Sequence, residues 1–315
     1  MTDRRGFIGM AGLAAGAGLL GSLASAPARA AAPAAAAKQP WFRISLAEWS
    51  FNRTLRAAGS KMSNLDFPVV ARRDYGIDVV EYVNQFWMDK AEDKTYLAEL
   101  KKRCDDNGVK SGLIMCDNEG ALGNADAAAR TKAVENHYKW VNAAAYLGCH
   151  SIRVNAQSSG TWGQQLDCAV DGLRRLAEFA AQNGGLNVIV ENHGGSSSHG
   201  KWLALVIEQV GLPNMGTLPD FGNFNIAQGK AYDRYLGVSE LMPFAKGVSA
   251  KSYAFDAAGN ETTIDYKRML GIVRDAGFRG HIGIEFEGRN MEEADGVRAT
   301  QKLLEKLRTE LAPAA

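Results

Sequence analysis

Cysteine is scarce in this sequence of 315 residues, and neither sign of charge is in excess. Its 4 cysteines are too few and too scattered for a disulfide scaffold or a zinc module. Lys and Arg number 36 against 35 Asp and Glu, so no basic surplus favours nucleic acid as a partner. Apolar residues at 46% and charged residues at 23% exclude wholesale disorder. The composition therefore favours a large folded core and a small-molecule enzyme.

The amino end lacks the long, strongly apolar run of a membrane anchor. Arg4 and Arg5 precede a Gly- and Ala-rich stretch over residues 9–26, which glycine makes only weakly apolar. An anchor needs about 18 strongly apolar residues. An Ala-Arg-Ala phrase ending at Ala30 has the small-x-small form that a signal peptidase cleaves. Paired arginines before a mild apolar segment resemble the twin-arginine export signal of bacteria.

We therefore predict a signal peptide over residues 1–30 and an Ala/Pro-rich linker over residues 31–40. Cleavage would remove three arginines and one aspartate, which leaves 33 basic and 34 acidic residues and a mature net charge of −1. The precursor's expected partner is the export machinery, and the expected location of the mature protein is the periplasm.

The remaining sequence alternates short β-rich runs with longer helical patterns, and glycine closes several of the helical ones. The eight predicted strands are 42–48, 77–83, 109–115, 151–155, 187–191, 215–220, 247–253 and 282–285. Eight strand–helix units in about 275 residues match a (β/α)8 TIM barrel in count and size. The rival doubly wound α/β sheet usually has a Gly-rich phosphate loop after its first strand, and residues 48–53 contain none. We predict a single barrel domain over residues 41–311.

Three acidic residues follow apolar strands of this predicted barrel. Glu191, Asp220 and Glu285 end strands five, six and eight. TIM-barrel active sites form where the strands end, so the three carboxylates are expected at one rim. Packed together, they need raised pKa values or a cation to hold them. An oxygen-rich site suits Mg2+ or Mn2+ better than zinc. Singly, each acid is as readily a helix cap, a salt bridge or a solvated loop residue.

Lys251 lies within predicted strand seven. Its side chain faces either the barrel interior, paired with these carboxylates, or the helix layer. Burial of a lysine is costly without a partner, so the interior position implies a functional site.

Further polar and aromatic residues are expected at the same rim. The candidate substrate contacts are Glu81, Arg153, Asn155 and Trp49. Phe86, Trp87 and Trp162 also lie in loops predicted to roof the cavity, where aromatic rings stack on sugars or simply pack the loops. A Gly-rich phosphate loop is missing, which favours an unphosphorylated substrate.

Four phrases carry a family resemblance. They are ENHGG at 191–195, PDFGNF at 219–224, VSAKSY at 248–253 and IGIEFEG at 282–288. Over about residues 42–310 the sequence resembles the xylose-isomerase-like TIM barrels of sugar phosphate isomerases and epimerases, in an exported branch. The resemblance implies that Glu191, Asp220 and Glu285, with a histidine, hold one divalent ion, commonly Mn2+, Mg2+ or Co2+. It further implies that the two glutamates move protons on either side of a cis-enediolate, and that Asn223 contacts the substrate.

The family's histidine on strand seven is missing. Its His-x-Lys-Asp phrase corresponds here to Ser-Ala-Lys-Ser at residues 249–252, which keeps Lys251. Either the fourth metal ligand comes from elsewhere, or Lys251 supplies the positive charge. His193 is the candidate ligand, because it lies two residues after Glu191 and shares its face if the strand continues. His193 is equally a candidate for substrate contact, acid/base chemistry or a structural role. His137, His150 and His281 are interpreted as structural.

The sequence thus predicts a metal-dependent isomerase or epimerase of an unphosphorylated sugar or keto-sugar. Glu191 and Glu285 are its expected acid/base pair, and Lys251 is a further catalytic candidate. Two alternatives stay open: a keto-sugar lyase or dehydratase that eliminates a β-substituent at the same site, and a non-catalytic periplasmic sugar-binding protein. An endonuclease of the same broad fold is disfavoured by the slightly acidic mature chain and the missing histidines. The oligomeric state stays open, a homo-oligomer included.

Overall fold

The structure, a computed structural model, describes residues 40–313. The predicted signal peptide, residues 1–30, and residues 31–39 of the predicted linker lie outside the described residues. No helix within the described range is long and apolar enough to cross a membrane.

Eight parallel strands form a nearly closed barrel, as predicted. They are β1 (Arg43–Ala47), β2 (Val79–Val83), β3 (Lys110–Met115), β4 (Ser151–Val154), β5 (Asn187–Glu191), β6 (Met215–Leu218), β7 (Val248–Ser252) and β8 (His281–Phe286). Strands β1 to β6 pair in chain order, and β8 pairs with β1 on one side and β7 on the other. Single parallel bridges, Thr217 to Ala245 and Asp220 to Ser249, connect the β6 and β7 regions. The strands are buried almost throughout, as in parallel sheets covered on both faces.

A main helix follows each strand. The helices are α1 (Phe67–Tyr75), α2 (Lys94–Asn107), α3 (Ala127–Leu147), α4 (Trp162–Gln182), α5 (Gly200–Val210), α6 (Arg234–Leu241), α7 (Tyr266–Asp275) and α8 (Glu293–Glu310). The side chains of Asp93 and Asp126 accept backbone N–H groups at the starts of α2 and α3. Gly108 and Gly148 end the same two helices with φ of 62° and 78°, a left-handed conformation that glycine adopts without steric penalty.

The loops after β1 and β6 hold shorter elements. Glu48–Phe51 is a 3-10 turn and Asn52–Arg56 a short helix, both after β1. A two-stranded hairpin, Asn225–Ala227 with Lys230–Ala231, follows β6 and was not predicted. The prediction also carried strand six to Asp220, whereas β6 ends at Leu218. Proline at the next position has no N–H to continue the ladder.

The barrel interior is divided between an apolar and a polar part. Its apolar part is a small cluster of strand residues, separate from the main core: Ala47, Val83, Leu113, Met115, Ile189 and Leu218. The main core lies between the strands and the surrounding helices. The polar part contains four of the predicted site residues: Arg153 on β4, Glu191 on β5, Lys251 on β7 and Glu285 on β8.

Candidate active site

The three predicted carboxylates meet at the carboxyl end of the barrel. Glu191 ends β5, Asp220 follows β6, and Glu285 lies on β8. One oxygen from each side chain lies within 4.8 Å of the others. Their exposed fractions are 0%, 0% and 3%. Three carboxylates so close and so dry cannot all ionise unless positive charge lies beside them.

Lys251 points into the barrel and supplies one such charge. Its Nζ lies 2.6 Å from Glu285 Oε1, 3.2 Å from Glu287 Oε2 and 3.8 Å from Asp220 Oδ2. Burial opposes protonation of the lysine, but the surrounding carboxylates outweigh it and raise the pKa of Lys251 well above its usual value. Although burial acts to raise the pKa of Glu285, the ammonium lowers it overall. Of the two orientations predicted for Lys251, the structure therefore has the one in which the side chain faces the barrel interior.

Ser249 stands between two of the carboxylates, at the position where the family resemblance led us to expect a histidine. Its Oγ lies 2.8 Å from Asp220 Oδ2 and 2.6 Å from Glu285 Oε2. A hydroxyl has one proton, so it can donate to only one of these oxygens. Burial, together with Glu191 and Glu285, raises the pKa of Asp220 to about 7 against the opposing effect of Lys251. The second contact thus calls for a proton on Asp220 or a cation beside it.

Arg153 on β4 supplies the other positive charge. Its Nη1 donates to Asp117 Oδ1 at 2.8 Å, and its Nε lies 2.8 Å from Glu191 Oε2. The Nε–H is not aligned with that oxygen, so Glu191 Oε2 is buried with no hydrogen-bond donor among the described residues. The other oxygen, Oε1, accepts from Asn223 Nδ2 at 2.8 Å.

The residues present fit a divalent cation. Five carboxylates face two cationic side chains here: Asp117, Glu191, Asp220, Glu285 and Glu287 against Arg153 and Lys251. The surplus is negative, the donors are oxygen atoms, and Glu191 Oε2 lacks a hydrogen bond. Glu191, Asp220 and Glu285 are the residues placed to hold the ion. Within residues 40–313 no histidine belongs to this group, and His193 lies exposed in the cavity wall.

A cavity of about 230 Å³ opens beside the carboxylates. The predicted contacts Trp49, Arg153, Asn155 and Asn223 all line it. Asn155 donates from Nδ2 to Asp117 at 2.7 Å, while its buried Oδ1 has no partner among the described residues. An acceptor left free in the wall suits a ligand hydroxyl.

Several lining residues were not singled out from the sequence. They are Gln85, Asp117, Asn118, Gln157 and Glu287. Two of these residues could have been predicted from the sequence. Asp117 follows β3 just as the other acids follow their strands. Glu287 lies two residues after Glu285, and its side chain is on the same face if the strand continues.

Two buried glutamates do not reach the cavity. Glu81, a predicted substrate contact, is 3% exposed on β2 and accepts from Ser45 Oγ at 2.5 Å. Burial raises the pKa of Glu81 to about 7. Glu48 accepts the Val83 backbone N–H at 2.8 Å, and burial raises the pKa of Glu48 to about 8. The Glu81 carboxyl lies inside the barrel against Gly283 of β8, while the Glu48 carboxyl joins the end of β1 to β2.

The aromatic residues divide between roof and core. Trp49 donates from Nε1 to Glu287 Oε1 at 3.0 Å, and the Arg56 guanidinium lies 4.6 Å from the centre of its ring. Phe86 packs 6.0 Å from Trp49 between ring centres. The prediction was wrong for Trp87, which is 2% exposed and packs on Trp140 in the core. Trp162 begins α4, is 49% exposed and does not line the cavity.

The three histidines interpreted as structural lie away from the cavity. His137 is buried in α3, with its Nδ1 2.7 Å from the Ala133 carbonyl. His150 and His281 lie at the amino ends of β4 and β8, the opposite end of the barrel from the carboxylates.

Comparison with known proteins gives a family match over most of the chain. The model of the family described as xylose isomerase-like TIM barrel matches residues 70–307. No curated protein matches the sequence.

Three solved structures share the fold. An L-ribulose 3-epimerase superposes with a TM-score of 0.67 at 19% identity, covering 87% of this chain and 98% of its own. The 3-keto-D-glucoside 4-epimerase of E. coli gives 0.65 at 16% identity, covering 85% and 99%. A xylose isomerase-like TIM barrel protein of Mycobacterium smegmatis, in complex with magnesium, gives 0.64 at 16% identity, covering 86% and 98%. At these identities the likeness shows the fold.

Removing the Lys251 charge should leave the barrel folded but less stable. In metal-free buffer at neutral pH, Lys251→Met should lower the free energy of unfolding by about 3–5 kcal/mol, because the carboxylates lose their buried partner. Glu285, whose pKa the lysine lowers, contributes stability above its unfolded-state pKa and loses it in acid, so the difference should shrink as the pH falls.

Urea unfolding followed by circular dichroism measures this loss. Lys102→Met is the matched control, since Lys102 is exposed and pairs only with Asp106 on the surface of α2. Its change should stay below about 1 kcal/mol. Equal losses in the two variants would show that the ammonium of Lys251 does not hold the cluster.

Proposed function

The chain belongs to the xylose isomerase-like TIM-barrel family, and on that premise we propose that it is a divalent-metal-dependent isomerase or epimerase of an unphosphorylated sugar or keto-sugar. The observation that carries the proposal is the group of three buried carboxylates beside a cavity lined by amides. The two solved epimerases that share the fold support it.

Glu191, Asp220 and Glu285 would hold the metal ion. The magnesium in the M. smegmatis structure supports a cation in this fold, and the negative surplus of the present site supports one here. When bound, such an ion polarises a carbonyl and its neighbouring hydroxyl. His193 remains the candidate for a fourth ligand.

The two glutamates are placed to move protons. They belong to β5 and β8, and their oxygens come within 4.8 Å of one another across the cluster. One takes the proton from the carbon beside the substrate carbonyl, and the other returns a proton to give the isomer or epimer. The hydrogen bond from Lys251 keeps Glu285 ionised, which is the form that can accept a proton, although it also makes the carboxylate a weaker base. The same ammonium stabilises negative charge that develops on the substrate oxygen.

The charge of the cavity favours a neutral sugar. Its two cationic side chains, Arg153 and Lys251, already pair with carboxylates. A phosphate group would meet a surplus of negative charge, whereas hydroxyl groups suit the amides of Asn155 and Asn223.

A screen of keto-sugars in deuterated water, with mass detection, tests this function. With Mn2+ added, the protein should exchange one carbon-bound proton for deuterium and otherwise conserve mass. Glu191→Gln and Glu285→Gln should each lower turnover at least about 100-fold, as expected for loss of a general acid or base. Glu305→Gln, an exposed change on α8, is the control and should retain full turnover. Unchanged turnover after chelation, or in either site variant, would contradict the proposal.

The position of Lys251 favours one second candidate, a keto-sugar lyase or dehydratase. An ammonium on the cavity wall can assist a departing β-substituent by hydrogen bonding and can stabilise the enolate that forms. The same mass measurement separates the two reactions, because elimination releases water or an aglycone. Sugar binding that persists in the glutamine variants, with no turnover in any form, would instead identify a binding protein.

Export by the twin-arginine route is the last part of the proposal, and its signal lies outside the described residues. Replacing Arg4 and Arg5 with lysine should hold the precursor in the cytoplasm, as cell fractionation would show. The exposed pair Arg72 and Arg73 on α1, replaced in the same way, is the control and should leave export unchanged. Normal periplasmic recovery of the Arg4/Arg5 variant would contradict this route.

A further inference from the structure

A second chamber adjoins the cavity beside the carboxylates. It measures about 570 Å³ and shares two lining residues, Gln157 and His193, with the inner cavity. The inner cavity, at about 230 Å³, is below the range of about 300–1,000 Å³ typical of ligand pockets. The inner cavity and the second chamber, which meet at Gln157 and His193, together therefore have room for more than the group that reacts at the carboxylates. We call the second chamber the outer chamber.

The walls of this outer chamber are polar and uncharged. Gln157, Gln165 and Ser196 supply amide and hydroxyl groups, and Ile226 on the hairpin supplies an aliphatic surface. Lys, Arg, Asp and Glu do not occur among its described lining residues. Amides and hydroxyls both donate and accept, which suits a neutral group rich in hydroxyls.

The amide of Gln165 is held in position. Its Nε2 donates to the Gly160 carbonyl at 2.8 Å, and its Oε1 accepts from Ser196 Oγ at 2.7 Å. A polar wall held in position in this way is suited to the hydroxyl groups of a sugar ring.

We propose that the outer chamber is a binding subsite for the second unit of a glycoside, with its reacting sugar in the inner cavity. The proposal rests on the function proposed above, which puts the reacting carbon beside Glu191 and Glu285. In a glycoside the anomeric carbon is locked as an acetal, so it offers no carbonyl. Proton abstraction then requires a ketone elsewhere on the ring. The substrate class is therefore a keto-glycoside, and the reaction is epimerisation beside that ketone.

Binding to matched sugars tests the subsite independently of turnover. The probes are D-glucose and D-galactose, their methyl glycosides, and the disaccharides cellobiose, maltose and lactose. Quenching of tryptophan fluorescence reports inner-cavity binding because Trp49 lines that cavity, and calorimetry checks the affinities. At least one disaccharide should bind about tenfold more tightly than the corresponding methyl glycoside.

Filling the outer chamber should remove this gain. Ile226→Trp should weaken disaccharide binding about tenfold and leave methyl glycoside binding within about twofold, which also shows that the variant is folded. Gln165→Ala should act in the same direction without adding bulk. The control is Ala227→Trp. Ala227 is the next residue of the same hairpin strand, so its side chain points to the opposite face, and this variant should bind both kinds of sugar as the unaltered protein does.

The outcomes separate the two proposals. Disaccharides that bind no better than methyl glycosides, or an Ile226→Trp variant that weakens both alike, would overturn the subsite and leave the proposed function standing. An absence of binding by every sugar would also overturn the subsite, whereas the proposed function stands or falls on the keto-sugar screen.

Discussion

Mutual repulsion among Glu191, Asp220 and Glu285 is the constraint on which the rest of this site depends. The barrel brings their oxygens within 4.8 Å of one another, and all three side chains are buried. Each ionised carboxylate there needs a compensating charge or proton. Lys251 and Arg153 supply part of that compensating charge. Each also pairs with a further carboxylate, Lys251 with Glu287 and Arg153 with Asp117, so these two acids join the same charge network. The remaining negative charge is what makes a divalent cation the natural occupant.

The same charges restrict what the cavity can accept. Its two cationic side chains are committed to carboxylates, so the groups left for a substrate are amides (with the free Oδ1 of Asn155), one tryptophan ring and the imidazole of His193. Such groups suit hydroxyls, and they continue into the outer chamber through Gln157 and His193. Charge at the inner end and neutrality beyond it are the features that support the proposal of an uncharged, extended carbohydrate as substrate.

Much of this arrangement could be predicted from the sequence because strand ends define one rim. The apolar runs before Glu191, Asp220 and Glu285 located those residues correctly. The direction of Lys251 could not be predicted, since it depends on pairing: β7 and β8 place Lys251 directly beside Glu285, and both side chains therefore point inward.

Residues whose position depends on distant segments were the ones missed. Asp117 is held by the side chain of Asn84, which follows β2. The Asn84 amide accepts the backbone N–H of Asp117 and donates to the Asp117 carbonyl. Trp87 lies in a loop next to the rim, yet the loop turns it into the core against Trp140. Neither outcome follows from local sequence.

Calorimetric titration of Mn2+ into chelator-treated protein tests the central claim, that the three carboxylates bind a divalent cation, most directly. One ion should bind per chain. Asp220→Asn should weaken its binding at least about tenfold, because it keeps the shape of the side chain and removes a charge. Asp106→Asn, at an exposed position, should bind as the unaltered protein does. If Mn2+ does not bind, or binds equally well to both variants, the cluster is balanced by Lys251, Arg153 and protons alone, and the claim is wrong.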